Sequence, residues 1–199
     1  MLYLGSRGLS NSDIENTNWF KHHYEFIDLS NNNISEIETK EFPVTLKEIY
    51  LNDNQIYNIK NIDWMIGLRV INLGCNMITS ISFVKWPPNL EQLYLHFNYI
   101  TDMSNLLLPD SLKYLDVRHN LINKITQEKW PNDLKKIVIN NNLITKKEAD
   151  YFINDKSKNK ITLLLIQFNF IKEPMYYDFD NLTKEIHSFL PKQEKIIIS

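Results

Sequence analysis

The stretch LKYLDVRHNLI, residues 112 to 122, places four apolar residues and Asn120 at a spacing that fits neither a helix nor strict alternation. The same frame, with apolar positions 1, 4, 6 and 11 and asparagine at position 9, recurs every 22 residues without a gap. The four other copies in this register are LKEIYLNDNQI (46–56), LRVINLGCNMI (68–78), LEQLYLHFNYI (90–100) and LKKIVINNNLI (134–144). A constant period of this length indicates a repeat architecture in which each copy stacks on the next.

Three further segments fit the frame at looser spacing. YEFIDLSNNNI (24–34) and ITLLLIQFNFI (161–171) are complete, whereas LYLGSRGL near the N-terminus is truncated and carries Arg7 in place of the asparagine. An asparagine amide has both a donor and an acceptor, so a stacked column of them can satisfy buried backbone groups where each strand ends and the chain turns. We therefore predict that the asparagines have a structural role, as a ladder formed by Asn32, Asn54, Asn76, Asn98, Asn120, Asn142 and Asn169.

Within each copy, the frame also predicts a short β-strand. The apolar positions 4 and 6 alternate with positions 3, 5 and 7, which is the two-residue period of a strand with one buried face. Positions 3, 5 and 7 should then point away from the core. Because the copies have equal length, outward residues that are distant in sequence should form columns across the sheet.

The repeated frame resembles that of leucine-rich repeat proteins, and the resemblance covers the chain from Leu2 to Ile171. It implies a right-handed α/β solenoid shaped like a horseshoe, with a parallel concave β-sheet of about eight strands. The PxxL runs at 109–112 and 131–134 are similar to the repeats of bacterial leucine-rich effector proteins. Those effectors usually add a ubiquitin-ligase domain, for which this chain has neither the length nor the cysteine. The composition also resembles coding from an AT-rich genome, such as that of a large DNA virus.

The chain is expected to divide into two parts. Residues 1–171 form the solenoid, with about seven full repeats and a partial one at the N-terminus, and residues 172–199 form a C-terminal cap and tail. Capping boxes at Ser12–Glu15 and Thr145–Glu148 predict short helices near 13–19 and 146–155. An apolar face on 181–190 predicts a helix that covers the open C-terminal end of the core.

A second periodic feature lies ten residues after five of the asparagines. These positions hold large apolar residues, four of them followed by proline: Phe42, Trp64, Trp86, Leu108 and Trp130. They could form an exposed aromatic stripe, but large apolar side chains usually bury, so we predict that they fill the convex half of the core. The prolines disfavour helix at the preceding residue and predict a mostly extended or 3₁₀ convex side.

Composition excludes several classes of protein. The chain has 199 residues, a net charge of −2 and one cysteine, Cys75, so a disulfide framework and a cysteine zinc cage are excluded. No basic field indicates nucleic acid or an anionic membrane, and no signal peptide is apparent. We expect a cytoplasmic protein without cofactor or metal that is a monomer, with homo-oligomerisation left open.

The candidate site lies among the outward positions of the central strands, which the core frame leaves unconstrained. We expect these residues to bind a protein partner on the concave face, since Tyr and Arg concentrate binding energy at interfaces. The alternative is a solvated sheet face whose aromatic residues merely suit a strand. The candidate residues are Tyr50, Asn72, Tyr94, His96, Tyr114, Asp116, Arg118 and Lys136.

The charges suggest an orientation for that partner. Acidic residues lie in the N-terminal half and basic ones in the C-terminal half, which would orient a protein ligand more than it would raise affinity. The acidic residues are Glu25, Asp28, Glu48 and Asp53, and the basic ones are Lys113, Arg118, Lys135 and Lys136.

Three functions are thus open from sequence. The favoured one is a non-enzymatic protein-interaction module, in one form a viral or pathogen factor acting on a host protein. The second is a scaffolding protein that self-associates through its ends or faces. The third is an enzyme using Cys75, His96 and Asp116, which lacks the enclosed pocket such chemistry needs. A metal shared by His96 and His119 would have too few ligands.

Overall fold

A computed structural model of the chain supplies the fold. It describes residues 1–17, 19, 22–37, 42–59, 62–63, 65–125, 130–145 and 147–149, together with the backbone of a strand at 163–165. The predicted capping helix at 181–190, Asn169 and Trp64 lie outside the described residues. Among the described residues, no helix is long and apolar enough to cross a membrane.

Each repeat contributes one short strand to an eight-stranded parallel sheet, as the frame predicts. Its order is β1-β2-β4-β6-β7-β8-β9-β10, so strands that follow each other in this sheet belong to consecutive repeats. The strands are β1 (Leu2–Tyr3), β2 (Phe26–Asp28), β4 (Glu48–Tyr50), β6 (Val70–Asn72), β7 (Gln92–Tyr94), β8 (Tyr114–Asp116), β9 (Lys136–Val138) and β10 (Leu163–Leu165). The chain therefore forms a solenoid with few helices.

The register of this sheet follows the sequence period. Leu93 pairs with Ile71 on one side and with Leu115 on the other, and each is position 4 of its own copy. The same position is buried in every full repeat described, because the strand turns it toward the core. The prediction that the copies stack in register is confirmed.

A second, two-stranded parallel sheet joins two segments that follow the asparagine turns. It consists of β3 (Glu36–Ile37) and β5 (Asn58–Ile59), in which equivalent residues of neighbouring repeats pair. Isolated bridges continue this type of pairing at Lys85–Leu107 and Asp102–Lys124. These segments are extended, in agreement with the predicted mostly extended convex side, and the core lies between them and the main sheet.

The large apolar residues of the second periodic feature fill that core. Phe42, Trp86 and Trp130 are buried, and Leu108 is half-buried and packs against the core cluster. Trp19 is buried beside them and packs on Phe42 with ring centroids 5.4 Å apart. The prediction of core plugs, rather than an exposed stripe, is confirmed for the described positions.

The asparagine of each repeat joins two neighbouring turns. Asn98 Nδ2 donates to the carbonyls of Leu95 and His96 in its own repeat and to that of Leu73 in the preceding one, at 3.1, 3.3 and 2.9 Å. Its Oδ1 accepts the N–H of Ile78 at 3.0 Å. Asn54, Asn76, Asn120 and Asn142 make the same set of contacts, and Asn32 makes an equivalent set with the truncated first copy.

The residue before each of these asparagines has a left-handed backbone. Asn and Asp tolerate this conformation, but the turn holds Cys75, Phe97 and His119 in it as well. The ladder of backbone hydrogen bonds continues through these residues, as from Cys75 N–H to His96 O at 2.8 Å. The positions are Asn31, Asp53, Cys75, Phe97, His119 and Asn141.

The first helix differs from its prediction. It spans Asn11–Glu15, and its capping residue is Ser10, not Ser12. The Asp13 carboxylate accepts both the Ser10 N–H at 2.8 Å and the Ser10 hydroxyl at 2.6 Å, so the shorter Asp at this position replaces the expected Glu15. The cap therefore forms at Ser10, two residues before the Ser12 that the S-x-x-E pattern predicted. The predicted extension to residue 19 is therefore wrong.

The second predicted helix begins where expected. Residues 147–149 are helical, and the Glu148 N–H donates to Thr145 Oγ1 at 3.4 Å. The Glu148 carboxylate instead reaches the preceding repeat, where its Oε2 accepts the Ile125 N–H at 3.2 Å. The remainder of the predicted 146–155 helix lies outside the described residues.

Candidate functional site

The register brings the candidate residues together on adjacent strands. We call the side chains at positions 3, 5 and 7 of each copy the sheet face. In one column Tyr50 pairs with Asn72, Asn72 with Tyr94 and Tyr94 with Asp116. Position 3 forms a second column, in which Tyr114 and Lys136 are direct strand partners. Position 7 forms a third column, which holds His96 and Arg118. All eight candidates therefore lie within one surface of β4 to β9.

Tyr94 and Tyr114 form the centre of this surface. Their ring centroids are 5.0 Å apart, with a tilt of 44°. The Tyr94 hydroxyl donates to Gln92 Oε1 at 2.8 Å, and Lys136 Nζ lies 5.1 Å from the Tyr114 ring centroid. These contacts hold both half-buried rings in place, so they can contact a partner without losing much conformational freedom.

A second aromatic group on the sheet face was not included in the predicted site. Phe26 lies between Tyr3 and Tyr50, with centroid distances of 5.2 and 5.3 Å. The sequence contained the signal, since these residues occupy positions 5, 3 and 5 of three consecutive copies. It was missed because diagonal neighbours on a sheet are less obvious than direct pairs.

Asp116 differs most from its predicted role. It lies at an outward position, yet its side chain is only 1% exposed. Its Oδ1 accepts the Arg118 N–H at 3.2 Å, and its Oδ2 lies 3.3 Å from Arg118 Nε and 3.7 Å from His96 Nδ1. The Asp116 side chain therefore offers a partner almost no surface in this structure, although it was predicted as a contact residue. Its charge lies beside Arg118 and His96, although neither Arg118 Nε nor His96 Nδ1 has a hydrogen-bond partner among the described residues.

His96 packs across its neighbour at position 7 of the preceding repeat, Gly74. A Cβ at residue 74 would overlap the imidazole ring, so only glycine leaves room for this orientation. Burial lowers the pKa of His96, and the positive charge of Arg118 lowers it further against the opposing effect of Asp116. We infer that His96 is uncharged at neutral pH.

The three tyrosines of the site keep their phenolic protons well above neutral pH. Burial raises the pKa of Tyr50 and Tyr94, and burial followed by the Asp116 charge raises that of Tyr114 to about 12. At physiological pH all three are neutral groups that can donate and accept hydrogen bonds. They suit recognition rather than proton transfer near pH 7.

The predicted charge asymmetry is smaller than expected. Glu25 pairs with Lys47 at 2.6 Å, and Glu91 pairs with both Arg69 at 3.0 Å and Lys113 at 2.7 Å. These residues occupy position 2 of their copies and form a row of ion pairs beside the strands. The charges that still follow the predicted arrangement are the acidic Asp28, Glu48 and Asp53 and the basic Arg118 and Lys136.

An apolar edge borders the sheet face where the strands end, and the sequence analysis missed it. Phe97 is 50% exposed, stacks on His119 at 4.2 Å and meets His96 edge-on at 6.0 Å. The residue after the ladder asparagine is also exposed and apolar in four consecutive copies, namely Met77, Tyr99, Leu121 and Leu143. This edge could have been found by extending the column analysis past position 7.

The geometry does not favour the cysteine enzyme. Burial and the Asp53 carboxylate raise the pKa of Cys75, whereas an activated nucleophile needs a lowered one. His96 Nδ1 lies 3.7 Å from Asp116 Oδ2, and within the described residues no hydrogen bond joins the imidazole to the thiol. Those same residues contain no group of three side chains suited to a metal, and His119 is engaged with Phe97 and Asn141.

One parallel strand per repeat and turns closed by asparagine define the leucine-rich repeat fold. In fold the chain is similar to internalin C2 from Listeria monocytogenes, with a TM-score of 0.68, 20% identity, and coverage of 99% of this chain and 79% of that one. It is also similar to the APL1 leucine-rich repeat domain, with a TM-score of 0.60, 18% identity, and coverage of 87% of this chain and 42% of that one. The third similar structure is the leucine-rich effector YopM from Yersinia enterocolitica, with a TM-score of 0.57, 16% identity, and coverage of 87% of this chain and 37% of that one.

These likenesses establish the fold, because their sequence identities are low. The chain spans 37% of the YopM chain and 42% of the APL1 chain that it matches. No family model and no curated protein matches the sequence. The partner must therefore be inferred from the chain's own surface.

A pH dependence of stability follows from His96. Its ordinary pKa is 6.5, and the folded protein lowers it, so below pH 6.5 the unfolded chain binds more protons than the folded one. The free energy of unfolding should therefore have its full value above pH 6.5. It should fall as the pH is lowered below 6.5, because protonation of His96 then favours the unfolded chain. Urea unfolding over this range should show a flatter profile for His96→Gln than for the wild type. An unchanged profile would mean that other groups cause the dependence.

Proposed function

We propose that this chain is a non-enzymatic protein-interaction module that binds a protein partner on its sheet face. The observation that carries the proposal is the packed Tyr94–Tyr114 pair beside Arg118, half-buried on an open surface. The repeat frame places positions 1, 4, 6, 9 and 11 in the core, so it does not require these side chains at positions 3, 5 and 7. Tyrosine and arginine in such a setting concentrate binding energy at protein interfaces.

The composition of the surface suits a protein more than a nucleic acid. The net charge is −2, and acidic and basic groups are both present on the sheet face. Phe97 and the apolar edge extend the surface beyond the strands, since Phe97 contacts His96 directly. A curved sheet with the face on its concave side would present all of these groups to one partner.

The proposal extends to a factor that acts on a host protein, from a virus or another pathogen. It is supported by the fold likeness to YopM, a leucine-rich effector, and to internalin C2. The AT-rich coding signature of the sequence agrees with it.

A double substitution tests the sheet face. Tyr94→Ala with Arg118→Glu removes the central ring and reverses the charge beside it, so affinity for any partner captured by the wild type should fall about 100-fold or more. The partner would be captured from host-cell extract, identified, and its affinity for each purified variant measured by calorimetry. If both chains bind the same partner equally well, the sheet face is not the site.

The matched control changes the same residue types in another region. Tyr57→Ala with Lys124→Glu alters an exposed tyrosine and an exposed base that follow the asparagine turns rather than precede them. This variant should bind as the wild type does. Equal losses in both variants would indicate a nonspecific effect on folding or solubility.

Self-association is the second candidate, and one feature of the first repeat favours it. A groove of about 440 Å³ opens there, with Leu2, Leu4, Leu9, Ile14 and Trp19 among its lining residues. β1 is also an edge strand, which can pair with another chain. Light scattering should then show a concentration-dependent dimer that Leu4→Lys dissociates. A monomer at all concentrations would exclude this function.

A further inference from the structure

The arginine of the sheet face is held in a defined orientation. Asp116 is almost completely buried, and its carboxylate lies 3.3 Å from Arg118 Nε while accepting the Arg118 backbone N–H at 3.2 Å. A buried carboxylate of this kind is costly unless a cation remains beside it. The charge of Asp116 therefore keeps the guanidinium nearby before any partner arrives, although its buried Nε–H donates no hydrogen bond within the described part of the chain. A side chain that is already held in place loses less entropy on binding.

The restraint uses only one part of the guanidinium. Within the described residues, Asp116 is the only ion-pair partner of Arg118, and the pair is made through Nε. The Arg118 side chain remains 44% exposed. The two terminal Nη groups, which form the end of the guanidinium fork, are thus left for a second anionic group.

The local charge favours a group with a single negative charge. Arg118 and Lys136 each carry +1, Asp116 carries −1, and the histidine of the cluster is uncharged at neutral pH for the reasons given above. These four residues together therefore carry a net charge of about +1, while the Asp53 carboxylate acts on His96 from outside this set. A carboxylate neutralises this charge, whereas a phosphate dianion would leave an excess negative charge near the buried Asp116.

The tyrosine pair supplies the remaining wall of the site. Tyr114 lies on the strand of Asp116, and Tyr94 is the direct strand partner of Asp116. Their rings exclude water from one side of the cluster, and an ion pair in a partly desolvated position is stronger than one in bulk water.

From this geometry we propose that the Nη groups of Arg118 bind a carboxylate of the partner, an Asp or Glu side chain, against the Tyr94–Tyr114 wall. The inference rests on the proposed function, because it names the chemistry that the sheet face recognises. Asp116 is a positioning residue in this site: it orients the guanidinium and does not itself touch the partner.

The test uses the full chain and simple probes. Acetyl-Glu-amide, which carries one carboxylate, is titrated while the Arg118 Nε–H and the tyrosine ring signals are followed by NMR. We expect saturable shifts at these groups and about tenfold weaker binding by Arg118→Gln. Arg118→Lys should also bind less tightly, because it keeps the charge but loses the fork. Acetyl-Gln-amide, the neutral isostere, should cause no shift.

Each other outcome overturns the inference. Shifts centred on other basic residues, or equal binding by Arg118→Gln, would show that Arg118 is not the site. Tighter binding of phosphotyrosine or inorganic phosphate than of acetyl-Glu-amide would replace the carboxylate by a phosphate. If the glutamate probe fails while Tyr94→Ala with Arg118→Glu still abolishes partner capture, only this inference fails and the proposed function holds.

The positioning role of Asp116 has its own readout. Asp116→Asn keeps the side-chain shape but removes the charge that faces Arg118 Nε, so the Arg118 Nε–H signal should move even without a probe. Affinity for acetyl-Glu-amide should then change although no contacting residue has been altered. A purely structural role would lower stability in urea and leave the Nε–H signal and the affinity unchanged.

Discussion

Replacing Asn98 by alanine is expected to lower the free energy of unfolding by about 3 to 5 kcal/mol. The amide joins four buried or partly buried backbone groups, from Leu73, Leu95, His96 and Ile78. Alanine cannot replace any of these hydrogen bonds, and each buried group left without a partner costs about 1 to 3 kcal/mol. The total stays below a simple sum because water can reach some of these groups after local relaxation.

The loss at Asn98 also weakens the connection between repeats, since two of its contacts reach the preceding copy. Urea unfolding followed by circular dichroism should therefore show a lower midpoint and a broader transition. Asn123→Ala is the matched control, because Asn123 is exposed in the next repeat. If Asn98→Ala and Asn123→Ala cost the same, the asparagine ladder does not stabilise the turns.

Leu93→Ala should have an effect of similar size for a different reason. Leu93 is fully buried in the middle of β7, between Ile71 and Leu115 in the neighbouring strands. Truncation removes buried methyl groups and leaves a cavity, which costs about 3 to 5 kcal/mol in a core that relaxes little. Leu107→Ala provides the comparison, since Leu107 is 46% exposed and should cost less than about 1 kcal/mol.

Because both substitutions replace leucine by alanine, the difference between their losses of stability measures the effect of burial. A loss at Leu93 as small as that at Leu107 would mean that the repeats move together to fill the cavity. Leu93 lies between Gln92 and Tyr94 in β7 and points into the core. Its truncation should therefore also increase the mobility of the sheet face. Broadening of the Tyr94 ring signals in NMR would show this second effect.

Most of the fold could be predicted from the repeat frame. A constant interval of 22 residues means that any residue pairs with its equivalent in the next copy, so Tyr50, Asn72, Tyr94 and Asp116 could be placed in one column. The turn at each asparagine could be predicted because an amide is the side chain that satisfies donor and acceptor groups together. The first helix was misplaced because Ser10–Asp13 and Ser12–Glu15 offered competing caps two residues apart.

The sequence by itself determined the strands, their register and the set of residues that share the sheet face. Only the tertiary structure decided that Asp116 is buried beneath Arg118, that Gly74 makes room for the His96 ring, and that Phe97 joins an apolar edge. The physical reason is that the register depends only on the constant length of the repeat, which can be read directly along the sequence. Burial and charge depend on the side chains that neighbouring repeats place against a residue, and a repeat frame leaves those side chains free.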